Sequence, residues 1–143
     1  MTDWEVIEQH VQNMEEALAQ LKKYQNIPYE DFKRDLGLIW IVEKGLEILV
    51  QHLLDIGAHI LSSELKNDWE DYGEIISKLG KHGIIPPEFS EQIKGMAGLR
   101  NILVHEYLKI DVERLIDFLK QRLGDFVQFI KYIRKYQKTS QQK

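Results

Sequence analysis

At 143 residues, 43% hydrophobic and 29% charged, the chain has the size and composition of one soluble globular domain with room for a real core. The absence of cysteine excludes a disulfide framework and a thiolate metal site, and the net charge of −4 argues against a protein that coats nucleic acid with a basic face. An acidic start, Met1-Thr2-Asp3-Trp4-Glu5, and the lack of any apolar run near the roughly 18 residues of a membrane span lead us to expect a cytoplasmic protein without membrane attachment.

The first predicted helix covers residues 3–24, where Trp4, Ile7, Val11, Met14, Leu18 and Leu21 recur at helical spacing. Thr2 or Asp3 caps it and Asn26-Ile27-Pro28 ends it. A second, unusually long helix is expected from Tyr29 or Glu30 to Ser62 or Ser63. Its apolar arc is Leu38, Ile39, Val42, Leu46, Leu49, Val50, Leu53, Ile56 and Ile60, with Glu43, Lys44, Glu47, Gln51 and Asp55 opposite. Trp40, Ile41 and Ile48 fall on or beside that polar side. They are scattered surface hydrophobes, the result of local bending, or a face covered by a second subunit. Asp55 and His59 stand one turn apart, close enough to hydrogen-bond through their side chains, either as an ordinary helix-surface or core pair or in support of a nearby cleft. Two such residues fall short of a metal site, which needs three or more convergent ligands, so no metal and no cofactor are expected.

Asn67-Asp68 predicts a turn and cap before a third helix over 69–82, built on Trp69, Tyr72, Ile75, Ile76 and Leu79 and closed by Gly80 and Gly83. Pro86-Pro87 stiffens the next connection, and Pro87 suits the first turn of a fourth helix over roughly 87–106. Gly95 and Gly98 each cost that helix about 1 kcal/mol relative to alanine, which suggests close approach of another backbone. Asp111 caps a fifth helix with Glu113 in its first turn, and Val112, Leu115, Ile116, Leu119, Leu123, Phe126, Val127, Ile130 and Ile133 form its core stripe to about Tyr136. These elements predict an all-α fold, an antiparallel bundle of four to five helices in a single domain over 1–136.

Residues 137–143 are expected to be a disordered tail. The last 13 residues carry Lys131, Arg134, Lys135, Lys138 and Lys143 without an acid, leaving 14 basic against 23 acidic groups before them. This charge suits a helix C-terminus followed by a frayed end, or a contact to RNA backbone.

The stretch carrying chemistry is Met96-Ala97-Gly98-Leu99-Arg100-Asn101-Ile102-Leu103-Val104-His105-Glu106-Tyr107. A fixed cation, a histidine able to titrate near neutral pH and a phenol fall within eight residues. On one straight helix Arg100 and Tyr107 return to within about 20° of one another, whereas His105 lies about 140° from Arg100. The three converge only if the helix ends near His105 or a second subunit completes the cleft. Arginine offers phosphate a permanently charged fork, and histidine can take or return a proton. By chemistry alone this is a phosphate-binding or acid-base site. The same residues also fit a packing role, with Arg100 paired to Glu106 or Glu64, His105 as a helix cap and Tyr107 as an aromatic anchor.

Arginine, four residues, histidine, one residue, tyrosine, with Asn101 after the arginine, Met-Ala-Gly before it and Ile-Asp after the tyrosine, resembles the signature of the HepT-like toxins among the HEPN helical RNases. The resemblance implies a HEPN-like homodimer and RNA cleavage, which the chemistry of the motif suits without a metal, with Arg100 and His105 catalytic and Asn101 supporting; Asp55 and His59 are added as supporting candidates from their spacing alone. It also implies a toxin-antitoxin pair in which an MntA-type nucleotidyltransferase adenylylates Tyr107. An alternative is a non-catalytic, substrate- or nucleotide-binding partner of such a transferase, and a third is a purely structural helical dimer.

Overall fold

The computed structural model describes residues 2–66, 68–104 and 111–141, which form helices and no strand. The helices are α1 (Trp4–Lys22), α2 (Tyr29–Arg34), α3 (Leu36–Ser63), α4 (Tyr72–Lys81), α5 (Pro87–Ile93), α6 (Met96–Val104) and α7 (Val112–Gln141). Among the described residues no helix is long and apolar enough to cross a membrane.

Helix α3 is the axis of the bundle and packs on α1, α2, α4, α6 and α7. The apolar arc read from its sequence is its buried face: Ile39, Val42, Leu46, Leu49, Val50, Leu53, Ile56 and Ile60 are buried, and Leu38 packs at the margin. Helix α1 runs antiparallel to it, because its partners descend along α3 as α1 ascends. Thr2 and Ser63 hydroxyls meet at 2.6 Å, His10 meets His52, and Leu21 lies against Gly45. Helix α7 is antiparallel to α1 in turn, with Tyr136 beside Trp4 and Arg134 paired to Glu8 and Glu15. Arg134 is thereby an interhelical tie, which takes one cation out of the basic C-terminal set.

The caps follow local chemistry. Asp3 accepts from the Glu5 and Val6 amides, and Asp111 accepts from the Arg114 amide at the start of α7. Pro87 opens α5 as expected. Gly83, at φ 75°, closes α4: its amide reaches the Gly80 carbonyl and the Ile84 amide the Leu79 carbonyl, the pairing of a Schellman motif.

Boundaries differ where a local cap overrides periodicity. The long second helix is broken at Asp35, which adopts φ −132° and ψ 97° and caps α3 through the Gly37 and Leu38 amides. The cap of α4 is Asp71, which accepts from the Glu74 amide, so this helix starts three residues later than Trp69. Asn67 lies outside the described residues. The fourth helix is two: a turn at Lys94-Gly95 separates α5 from α6 at the residue type least able to hold a helix. Helix α7 continues past Tyr136 to Gln141, helped by Ser140 donating to Glu64 and Thr139 donating to the Lys135 carbonyl.

Close approach occurs at other glycines than those the sequence suggested. Among the described residues nothing stands within 4 Å of a Cβ built on Gly95 or Gly98. At Gly57 such a Cβ would lie 2.7 Å from Ile75 Cγ2 and 2.9 Å from Leu79 Cδ1, so glycine lets α3 and α4 meet. Gly57→Ala is therefore expected to lower stability by about 1–3 kcal/mol in urea melts. Gly124→Ala, where nothing among the described residues stands within 4 Å, is expected to raise it by about 1 kcal/mol.

Candidate functional site

Helix α6 carries Arg100 and Asn101 across the face of α3 and beside α4. Its anchor is Met96 and Ala97, both buried, which leaves Arg100 half-buried and Asn101 exposed. Three neighbours hold the guanidinium. Arg100 Nε donates to Gln51 Oε1 at 3.0 Å, the charge lies 4.4 Å from the centre of the Tyr72 ring, and Nη1 reaches Asn101 Oδ1 at 3.4 Å. None of these is an acid. Among the described residues Arg100 has no carboxylate partner; Glu64, one acid offered by the packing reading, accepts from Ser140 instead. Its other offered partner, Glu106, lies outside the described residues.

Among the described residues the positive charge is thus oriented by a carboxamide and an aromatic face without an acid to neutralise it. A guanidinium in that state keeps its outer N–H groups for an anion and favours the planar, bidentate geometry of phosphate. His105 and Tyr107 lie outside the described residues.

Asp55 and His59 do not pair with each other. Asp55 Oδ1 accepts from Gln51 Nε2 at 2.9 Å, so Arg100, Gln51 and Asp55 form one chain of polar contacts. His59 Nε2 accepts from the Asp3 amide at 3.0 Å, because the first backbone donors of α1 have no partner within their own helix. Asp55 is therefore joined to the arginine through one side chain, and His59 fastens the start of α1.

Gln51 and Tyr72 were missed as site residues. The only sequence signal for Gln51 was its i, i+4 spacing to Asp55; Tyr72 read as a core aromatic. Beside this chain, His10 of α1 faces His52 of α3 with their Nδ1 atoms 2.8 Å apart. Burial first, and then the charge of His10, hold His52 below the ordinary histidine pKa, against an opposing pull from Asp55.

Fold and site together define a small helical protein in which, among the described residues, Arg100 is held by Gln51, Tyr72 and Asn101 without a carboxylate partner. A model of the family described as HepT-like ribonucleases matches residues 14–133, and the chain belongs to that family. It is 32% identical over 131 residues to the tRNA nuclease HepT of Aphanizomenon flos-aquae, covering 92% of this chain and 89% of that one. It is 29% identical to the mRNA nuclease HepT of Shewanella oneidensis, over 72% of this chain and 77% of that one. Its fold matches that of a tri-AMPylated Shewanella oneidensis HEPN toxin solved with its MNT antitoxin, with a TM-score of 0.82 at 24% identity, covering 94% and 99% of the two chains.

Proposed function

We propose that the protein is the toxin of a toxin-antitoxin pair, an endoribonuclease that cleaves RNA without a metal ion and is silenced by adenylylation of Tyr107. The observation that carries this reading is Arg100, fixed by Gln51 and Tyr72 yet left without a carboxylate among the described residues. The family, the two nuclease relatives and the AMPylated toxin with its antitoxin support the class of activity and of partner. Its place of action is the cytoplasm, where RNA and a transferase are both available.

In this reaction His105 takes the proton of a ribose 2′-hydroxyl. The 2′-oxygen then bonds to the adjacent phosphorus, the bond from phosphorus to the 5′-oxygen breaks, and the departing oxygen receives a proton. Arg100 stabilises the charge that grows on the phosphoryl oxygens in the transition state. In a homodimer with two motifs about one axis, one histidine serves as base and the other as acid. Leu36, Trp40 and Ile41, 58%, 61% and 42% exposed, supply an apolar surface for that second copy. Trp40→Ser combined with Ile41→Ser is expected to convert a dimer to a monomer in light scattering. An unchanged dimer mass would remove this face from the interface.

Gln51 acts through Arg100. Gln51→Ala is expected to reduce kcat by about 10- to 100-fold with a smaller change in KM, because it misplaces the arginine without removing its charge. Adenylylation at Tyr107 would put bulk and negative charge at the mouth of a site that attracts phosphate. The test is incubation with an MntA-type transferase and ATP, followed by intact mass. Wild type should gain AMP and lose cleavage, and Tyr107→Phe should keep its cleavage; AMP added to Tyr107→Phe at undiminished level would refute modification at this residue.

A further inference from the structure

The His10–His52 contact belongs neither to the core nor to the arginine site. The two imidazoles come from different helices, 42 residues apart, and Asp55 stands one turn further along α3 from His52. One ligand-capable atom from each of His10, His52 and Asp55 lies within 4.8 Å of the other two, and all three residues are partly buried.

We propose that His10, His52 and Asp55 form a binding site for a divalent transition metal of the zinc class. The binding does not rest on the ribonuclease reading, since none of the three is a proposed catalytic group. It departs from the sequence expectation of no metal, because spacing along one helix relates Asp55 to His59 and does not bring in His10 from α1.

The donor set selects the ion. Two imidazole nitrogens and one carboxylate suit Zn²⁺, Co²⁺ or Ni²⁺, whereas Mg²⁺ and Ca²⁺ favour all-oxygen surroundings. Tetrahedral zinc with ligand bonds of about 2.0–2.1 Å places its ligand atoms about 3.3 Å apart. The histidine nitrogens, 2.8 Å apart, need to open by about half an ångström, and the carboxylate closes in by rotation of its side chain. The backbone that carries them is already set. The Asp3 amide bound to His59 and Leu21 packed on Gly45 fix α1 against α3 on either side of the pair. Three protein ligands leave a fourth position for water or another small ligand.

The ligands also have an outer shell. Gln51 Nε2 donates to Asp55 Oδ1, the orienting contact that metal-bound carboxylates usually have. Since Gln51 Oε1 accepts from Arg100, the metal site and the arginine share one side chain. Occupancy therefore restrains the residue that aims Arg100.

The experiment is titration of the metal-free full chain with Zn²⁺ alone, in competition with a chromophoric chelator, followed by Co²⁺ absorption spectra. One Zn²⁺ per chain is expected, with an intense tetrahedral cobalt spectrum and a higher Tm. His10→Gln and His52→Gln should each weaken Zn²⁺ binding at least about 100-fold, and Gln51→Ala about 10-fold. Histidine ring NMR of the wild-type protein decides the matter even if a variant fails to fold. Zn²⁺ should move two of the five histidines, His10 and His52. No binding, binding unchanged in His10→Gln, or shifts confined to His59, His82 or His105 would overturn the proposal. Cleavage in excess chelator is a separate readout, so loss of one reading leaves the other standing.

Discussion

Arg100→Ala is expected to lower kcat/KM for RNA cleavage by about 10²- to 10³-fold while leaving the helical bundle intact. The size follows from what the side chain does. In the proposed reaction it is the one charged group of the described part of the motif, and among the described residues its charge is not spent on an acid. Stability should fall by only about 1 kcal/mol, because alanine removes a half-exposed stacking on Tyr72 and hydrogen bonds to neutral partners. Arg100→Lys separates charge from geometry. Lysine keeps the charge but has no planar fork to lie over Tyr72 and bond Gln51 at once, so it should recover RNA binding more than turnover. Steady-state kinetics with urea melts on the same preparations measure both quantities. Wild-type cleavage by Arg100→Ala would show that the arginine is a packing group.

The largest expected loss of stability is at Phe32. Helix α2 has six residues, too few to stand alone, and Phe32 is its one fully buried side chain. The ammonium of Lys120 lies 5.9 Å from the centre of this ring and donates to the Gln25 and Ile27 carbonyls at 2.7 and 2.6 Å. Phe32 thus holds in place both a short helix and the turn joining it to α1. Phe32→Ala is expected to cost about 3–5 kcal/mol through lost burial and the cavity left behind, read as a lower urea midpoint. Phe32→Leu should restore more than half of that. A loss below about 1 kcal/mol would mean that α2 detaches without weakening the bundle.

Much of this architecture was legible because it is local. Asp3, Pro87 and Asp111 mark helix starts by chemistry confined to one turn, and the buried arc of α3 follows from spacing alone. The breaks at Asp35 and Gly95 were not legible, since apolar periodicity runs through both and only the competition between a cap and a continuing helix decides them. The arginine site was half legible. Arg100 and Asn101 are adjacent in sequence, but Gln51 and Tyr72 reach the guanidinium from α3 and α4, and that convergence depends on how the helices are rotated in the bundle. The Asp55–His59 pairing failed for the same reason: each found a better partner outside that pair, one in Gln51 and the other in the Asp3 amide. Glycine misled in a different way. Its cost in a helix suggested close packing at Gly95 and Gly98, whereas the close approaches are at Gly45, Gly57 and Gly80.

The most direct test of the central claim is cleavage of end-labelled RNA by the purified protein in excess chelator, with His105→Ala beside it and intact mass confirming unmodified Tyr107. Cleavage by the wild type that vanishes in the variant is the predicted result. Equal cleavage by both proteins, or none by an unmodified wild type, would contradict it.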